Sequence, residues 1–196
     1  GVTFARYDLP KFPLKVSVMI QDMSNPYTDM ETYLANEAAL GCEDPLSVYE
    51  RYTAAGRDVI GAINGDFFRA APSSEIGIPT SGMIRNDQVL ITPAGRAGFV
   101  LDTERNPYID RVDFESTLSN GEETWEIHTV NCIRVNTESS RKTDAIHLFN
   151  EFWGPKAYAH LTNGNMAIVR PKNGAFKWAP NGTDTVVVEE LHSTVT

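Results

Sequence analysis

The sequence lacks several features that would assign a protein to a broad class at once. Its 17 Lys and Arg residues form no basic run, and 26 Asp and Glu residues give a formal net charge of -9. Binding to a nucleic-acid backbone needs a clustered positive surface, so we expect no nucleic-acid partner. No apolar run approaches the roughly 18 residues that a membrane span requires, so we also expect no transmembrane segment.

Cysteine is scarce, and motifs for cofactor binding are missing. Cys42 and Cys132 lie in no paired motif, which favours two buried thiols over one disulfide. The four histidines have no metal-ligand spacing, and the sequence has no nucleophile elbow, P-loop or dinucleotide fingerprint. We therefore expect no cofactor. The binding of a divalent cation near Asp66 stays an open alternative, and no ligand cluster in the sequence supports it.

The first third of the chain has the patterns of a strand and two helices. Apolar side chains recur at every second position in residues 14–20, which predicts a strand with one buried face. Thr28 and Glu31 have the spacing of a capping box and predict a first helix. Asp44 followed by Pro45 predicts the N-terminus of a second helix.

The rest of the chain is rich in strand patterns. Residues 58–64 are apolar on both faces, which predicts a buried central strand. Residues 82–91 predict a hairpin that turns at Asn86 and Asp87. Further strand-like segments are 97–102, 124–131, 144–149, 157–163, 165–170 and 185–191. The predicted fold is a single α+β domain, with a large, mainly antiparallel sheet and an N-terminal helical pair packed on it.

The stretch AINGDFF brings polar groups to the end of the predicted central strand, and strand ends are favoured places for sites. Asn64 can donate to and accept from a sugar hydroxyl, and Gly65 allows a turn or the close approach of a ligand. Asp66 supplies a carboxylate, and Phe67 and Phe68 can form the wall of a pocket. A structural alternative is a strand, an Asx-type turn and two core phenylalanines.

A second stretch, GIPTSGMIRND, carries two glycines close together, Gly77 and Gly82. Their spacing suggests a backbone pressed against another group, and a plain surface loop is the alternative. Glu75, just before this stretch, is either a second carboxylate of a site or a solvated side chain.

A third stretch, VNCIRVN, contains Asn131 and Arg134. In an extended strand these two side chains point to opposite faces, so they share a site only if a bulge or a strand end intervenes. Arg134 can hold a phosphate through a bidentate fork. A surface salt bridge is the alternative.

In order and rough spacing, these stretches resemble the motifs of the phosphodiester glycosidase family, of the uncovering-enzyme type. The resemblance rests on AINGDFF, GIPTSGMIRNDQVL and VNCIRVN…DAIHLFNEFWG and covers residues 58–196. Residues 1–57 resemble the strand-and-helix lead-in of bacterial members. The resemblance implies that the active-site pocket includes Asn64, Gly65, Asp66, Phe67, Gly82, Asn131 and Arg134.

The resemblance implies a hydrolase of sugar-1-phosphodiester linkages in cell-envelope or host glycan metabolism, exported to the periplasm or cell surface. Asp66 would act as the catalytic carboxylate, Arg134 would balance the phosphate charge, and Asn64 and Asn131 would bind sugar hydroxyls. The family continues into an Asp-Gly-Gly segment that this chain does not have. Either the C-terminal part of this member, with the second carboxylate, is missing, or the chain has diverged from the family. A non-catalytic carbohydrate-binding or structural domain of an exported envelope protein is the alternative.

Overall fold

The computed structural model describes residues 1–70, 76–86, 88–93, 95–119, 122–132 and 145–153, and the backbone of the strands at 164–171 and 186–194. The chain groups into two compact units. Unit 1 holds Gly1–Glu31, Glu43–Gly65 and Phe99–Ile109, and unit 2 holds Thr32–Cys42, Asp66–Gly98 and Asp110–Thr196.

Unit 1 begins with a hairpin of two eight-residue strands, β1 (Val2–Leu9) and β2 (Leu14–Gln21). They pair antiparallel, with Leu9 opposite Leu14. The strand predicted at residues 14–20 is confirmed, but the prediction that one of its faces is buried is wrong. Leu14 stays exposed, because among the described strands β2 pairs only with β1 and lacks the second layer that a buried face needs.

The second predicted helix is confirmed as α1 (Pro45–Ala54). The Asp44 carboxylate caps it by accepting the backbone N–H groups of Leu46 and Ser47 at 3.0 and 3.1 Å. Pro45 occupies the first turn, where its missing N–H leaves no bond unmade. Val48 is the residue that the helix buries.

The first predicted helix is wrong. Beyond β2 the chain is irregular as far as a single 3-10 turn at Ala35–Glu37. Long-range partners take the groups that a helix would use. The Arg105 guanidinium donates to the carbonyls of Asn25 and Thr28. The Glu31 carboxylate accepts from Arg57 instead of closing a capping box.

The predicted central strand at residues 58–64 is also wrong. This segment has no regular structure, and the Ile63 side chain is 74% exposed. Gly61 instead lies so close to the Met19 side chain that an added Cβ would collide with its sulfur. The segment therefore meets β2 through side-chain packing and joins no hydrogen-bonded ladder of the described strands. An apolar run has the composition of a buried strand but does not specify a pairing partner.

The remaining described strands form five two-stranded pairs. They are β3 (Met83–Arg85) with β4 (Gln88–Ile91), β5 (Ala97–Leu101) with β6 (Pro107–Arg111), β7 (Thr117–Ser119) with β8 (Thr124–Glu126), β9 (Thr129–Val130) with β10 (His147–Leu148), and β11 (Gly164–Pro171) with β12 (Val186–Thr194). The β9–β10 pair is parallel. The predicted hairpin at residues 82–91 is confirmed as β3–β4, with Asn86 in the turn at φ 51°.

The predicted fold class, a large antiparallel sheet with an N-terminal helical pair, is therefore wrong. Within the described residues every sheet has two strands, and α1 is the single α-helix. No helix in the described part of the chain has the length and apolarity to cross a membrane. The predicted strand at 157–163 lies outside the described residues.

A small core anchors unit 2. Ala39, Ile78, Ile91 and Trp153 are buried together, and Phe149 meets Trp153 edge to face with ring centroids 4.8 Å apart. Trp153 ends a 3-10 turn at Glu151–Trp153. Since Ile78 belongs to the second sequence stretch, its burial fixes that stretch against the core.

Candidate functional site

Asp66 joins the first two sequence stretches within unit 2. Its carboxylate accepts the backbone N–H of Phe67 through Oδ1 and that of Ser81 through Oδ2, each at 2.7 Å. Because a carboxylate bonded through both oxygens has little freedom to rotate, the side chain is held in one orientation.

Backbone hydrogen bonds run alongside this clasp. Thr80 N–H donates to the Phe67 carbonyl at 2.8 Å, and Arg69 N–H donates to the Ile78 carbonyl at 3.0 Å. Gly77 N–H then donates to the Arg69 carbonyl at 2.9 Å. Residues 66–69 thus lie antiparallel to residues 77–81, a ladder that we call the motif clasp. The first two sequence stretches are therefore neighbours in the structure, and their sharing a site stays a prediction.

The aromatic side chains of the motif clasp face solvent. Phe67 is 83% exposed, Phe68 is 56% exposed, and Asp66 is exposed as well. The prediction that Asp66 follows a buried strand is wrong, and so is the alternative that the two phenylalanines fill a core. Exposing two neighbouring aromatic rings costs hydrophobic free energy, which favours a role in contacting a ligand or a partner.

The two glycines of the second stretch have packing roles. A Cβ on Gly82 would collide with the backbone of Pro93, and one on Gly77 would collide with the backbone of Gly41. Gly77 also has a φ of 97°, which side chains rarely adopt. The predicted close approach is therefore confirmed, and the neighbour of each glycine is the protein's own backbone.

Asn64 and Gly65 end a segment of unit 1, immediately before Asp66 in the chain. Both residues are exposed. A Cβ on Gly65 would meet nothing within 4 Å, and its φ lies outside the left-handed region. Neither the backbone conformation nor the packing requires glycine at position 65.

Asn131 is fully buried, and its side chain is occupied by the fold. Nδ2 donates to the Leu90 carbonyl at 2.9 Å and to Asn150 Oδ1 at 2.5 Å, while Oδ1 accepts the Asn150 backbone N–H at 3.0 Å. Its backbone N–H donates to the Leu148 carbonyl at 2.9 Å, with φ at 49°. Because every polar group of the side chain is used, Asn131 joins strands and has no group to offer a sugar.

Arg69 is a candidate that the sequence patterns missed. It follows AINGDFF directly, it is half-buried, and its Nη2 lies 3.9 Å from the Cys132 sulfur. This contact places the end of the motif clasp next to the third sequence stretch. Arg134 and Glu75 lie outside the described residues.

Two histidines lie at the parallel β9–β10 pair, His128 just before β9 and His147 as the first residue of β10. His128 Nδ1 accepts the Ile146 N–H at 3.2 Å, and its buried Nε2 has no hydrogen-bond partner among the described residues. His147 Nδ1 lies 2.6 Å from Thr129 Oγ1. Burial, followed by the charge of His128, lowers the pKa of His147. The neutral imidazole is therefore the preferred form of His147 in the folded chain.

The two cysteines differ in their exposure to solvent. Cys132 is buried, as predicted, whereas Cys42 is exposed, and neither forms a disulfide. In the described part of the chain, no three His, Cys, Asp or Glu residues come together in a way that could hold a metal ion.

Comparisons with protein-family models, with curated proteins and with solved structures give no match to this chain. The resemblance to phosphodiester glycosidases therefore rests on the sequence motifs alone.

Proposed function

We propose that this chain binds a sugar-1-phosphodiester and hydrolyses the bond between the anomeric carbon and the phosphate. The observation that supports the proposal is the position of Asp66. Its carboxylate is exposed, is oriented by two backbone N–H groups, and directly precedes an aromatic ring that faces solvent.

Asp66 matches the main chemical demand of this reaction. The leaving phosphate monoester is already acidic and needs little protonation. The larger barrier is the positive charge that develops at the anomeric carbon, which a fixed carboxylate stabilises at no cost of reorientation. The two N–H groups restrict the orientation of Asp66 before the substrate arrives.

Arg69 is the described cation that we assign to the phosphate. The chain carries a formal net charge of -9, so a phosphodiester is repelled unless a local cation balances it. Arg69 lies in the motif clasp, and its guanidinium geometry suits phosphate oxygens. In this assignment Arg69 takes the role that the resemblance gave to Arg134.

Phe67 is the proposed sugar platform. An aromatic ring offers a flat apolar face to the C–H groups of a sugar, and Phe67 lies beside the carboxylate in the chain.

Carbohydrate binding without hydrolysis is the second candidate. It is favoured by Asn131, whose side chain is fully used within the fold, so that one predicted sugar contact is lost. Exposed aromatic rings alone are sufficient for a binding surface. In both cases we propose that the protein acts outside the cytoplasm, at the periplasm or cell surface, on envelope or host glycans.

The test measures binding and hydrolysis separately. Wild-type chain is titrated with a UDP-sugar by calorimetry, and release of free sugar is followed in parallel. We expect Phe67→Ala to weaken binding, and Asp66→Asn to lower release by about 100-fold or more while binding persists. The matched control is Phe4→Ala, which removes another exposed phenylalanine, from β1. Binding without release by wild-type chain would favour the binding domain. A wild-type chain that shows neither binding nor release would reject both proposals.

A further inference from the structure

We propose that Asn64 is a site of spontaneous covalent modification. Its side-chain amide is lost through a cyclic imide formed with the backbone nitrogen of Gly65, which leaves aspartate or isoaspartate at position 64. This inference does not depend on the proposed function.

The chemistry requires only the two residues, water and base. The deprotonated backbone nitrogen of Gly65 attacks Cγ of Asn64, a C–N bond forms, and the side-chain nitrogen leaves as ammonia. Water then opens the five-membered imide at either carbonyl, which restores one amide bond and produces one carboxylate. The product is α-linked aspartate or β-linked isoaspartate. Glycine favours the first step because it has no Cβ to obstruct the attack.

The structure provides the freedom that this attack needs. Residues 58–65 are irregular, and both Asn64 and Gly65 are exposed. Among the described residues, neither the Asn64 side chain nor the Gly65 N–H has a hydrogen-bond partner. The space around the Gly65 Cα is open. Ring closure therefore breaks no native hydrogen bond, and loop segments of this kind sample many conformations.

Other asparagines in the described part of the chain are protected in ways that Asn64 is not. Asn106 precedes Pro107, which has no backbone N–H to attack with, and its Nδ2 donates to Asp102 at 3.0 Å. Asn131 is buried and bonded through both polar atoms of its side chain. The sequence contains several Asn–Gly pairs, and the structure describes both residues of the pair Asn64–Gly65. The other pairs begin at residues 120, 163, 173 and 181.

The modification changes the proposed site's surroundings in a defined way. Either product adds one negative charge, and isoaspartate also adds one atom to the backbone, two residues before Asp66. Purified chain would thus become a mixture that changes with age.

Peptide mapping tests the inference directly. Trypsin cleaves after Arg57 and Arg69 and releases residues 58–69, which contain Asn64 as their only asparagine. Native chain is aged in mildly alkaline buffer beside a synthetic peptide of the same sequence. We expect Asn64 in the chain to lose its amide at most about tenfold more slowly than Asn64 in the peptide. A tenfold difference in rate corresponds to a free-energy cost of only about 1.4 kcal/mol for bringing the folded segment into the reactive conformation. The peptide of residues 106–111 from the same digest should keep its amide.

Two variants complete the experiment. Gly65→Ala fits the backbone without collision and should slow the loss of the Asn64 amide, while the thermal melt of the chain stays unchanged. Asn64→Gln should remove the reaction from this peptide. Retention of the Asn64 amide in native chain while the free peptide reacts would overturn the inference, because the fold would then hold the amide or the Gly65 N–H. An equal rate in Gly65→Ala and wild type would also overturn it.

Discussion

The carboxylate of Asp66 and the backbone N–H of Ser81 are joined by a 2.7 Å hydrogen bond that closes the motif clasp. A second bond from the same carboxylate, to the N–H of Phe67, lets the Asp66 side chain bridge these two positions. Asp66 therefore has a structural role that is independent of any chemistry.

Asp66→Asn should lower both stability and the proposed hydrolysis. Asparagine keeps one acceptor oxygen, but its NH₂ group would face the N–H of Phe67 or Ser81, so one bond is lost. We expect a cost of about 1 kcal/mol in the free energy of unfolding. If Asp66 is catalytic, release of free sugar should fall by about 100-fold or more.

The control for this variant is Asp58→Asn, which removes another exposed carboxylate, from residues 58–64. Chemical denaturation and sugar release are measured on both variants. An Asp66→Asn chain that is destabilised but releases sugar at the wild-type rate would make Asp66 purely structural.

Gly82→Ala should destabilise unit 2. The new Cβ would collide with the backbone of Pro93. Gly82 precedes β3 and Pro93 follows β4, so neither segment can move without shifting the ends of the β3–β4 hairpin. Overpacking of this kind costs about 1–3 kcal/mol. Gly65→Ala is the matched control, since its Cβ meets nothing within 4 Å. Equal melting temperatures for the two variants would contradict the packing role of Gly82.

The parts of the fold that local sequence determines were predictable. Asp44 caps α1 through bonds to the next residues in the chain, and Asn86 accepts the positive φ that its hairpin turn demands. Each signal lies within a few residues of its effect. Conversely, the helix expected after Thr28 fails because Arg105, 77 positions away, takes the Thr28 carbonyl. A capping-box pattern does not show that a residue far away in the sequence binds the same carbonyl.

The candidate site shows the same contrast between local sequence signals and long-range contacts. The resemblance placed the first two stretches in one pocket, which stays a prediction, and the bond from Asp66 to Ser81 shows that the stretches are neighbours. The sequence did not reveal that the Asn131 side chain is hydrogen-bonded to Leu90 and Asn150, since those contacts span 41 and 19 residues. Arg69 was overlooked because no spacing rule connects it with Cys132, its neighbour in space.

Asn131→Ala should destabilise the chain strongly. It leaves the Leu90 carbonyl and the Asn150 N–H in a buried place without these partners, and it puts alanine at a φ of 49°. We expect a loss of about 2–4 kcal/mol in the free energy of unfolding. Asn106→Ala, which removes an exposed asparagine from the turn between β5 and β6, is the control. A loss of sugar binding by Asn131→Ala with unchanged stability would instead make Asn131 a ligand residue.

The two thiols should differ in reactivity. Cys42 is exposed and Cys132 is buried, so a thiol reagent should modify Cys42 in the native chain and both thiols after denaturation. Cys42→Ser should abolish the native reaction. Rapid labelling of Cys132 in native Cys42→Ser chain would show that the end of β9 opens readily.

Protonation of His147 should destabilise the folded chain at acidic pH. The Thr129 hydroxyl gives its one hydrogen to the Cys132 carbonyl, so the neutral His147 ring donates from Nδ1 to Thr129 Oγ1. A further proton would enter at Nε2, in a half-buried place beside His128. Among the described residues, Glu126 is an acidic neighbour of this pair, with its carboxylate 3.7 Å from His128 Nε2.

Because folding lowers the pKa of His147, the unfolded chain binds this proton more readily than the folded chain. The contribution of His147 to stability is therefore complete above its ordinary pKa of 6.5 and is lost as pH falls below that value. We expect the urea midpoint of unfolding to fall between pH 7.5 and pH 5. His147→Asn is the conservative variant, since its NH₂ can still donate to Thr129 but does not titrate. It should reduce the dependence on pH, and an unchanged pH profile in this variant would assign the effect to other groups.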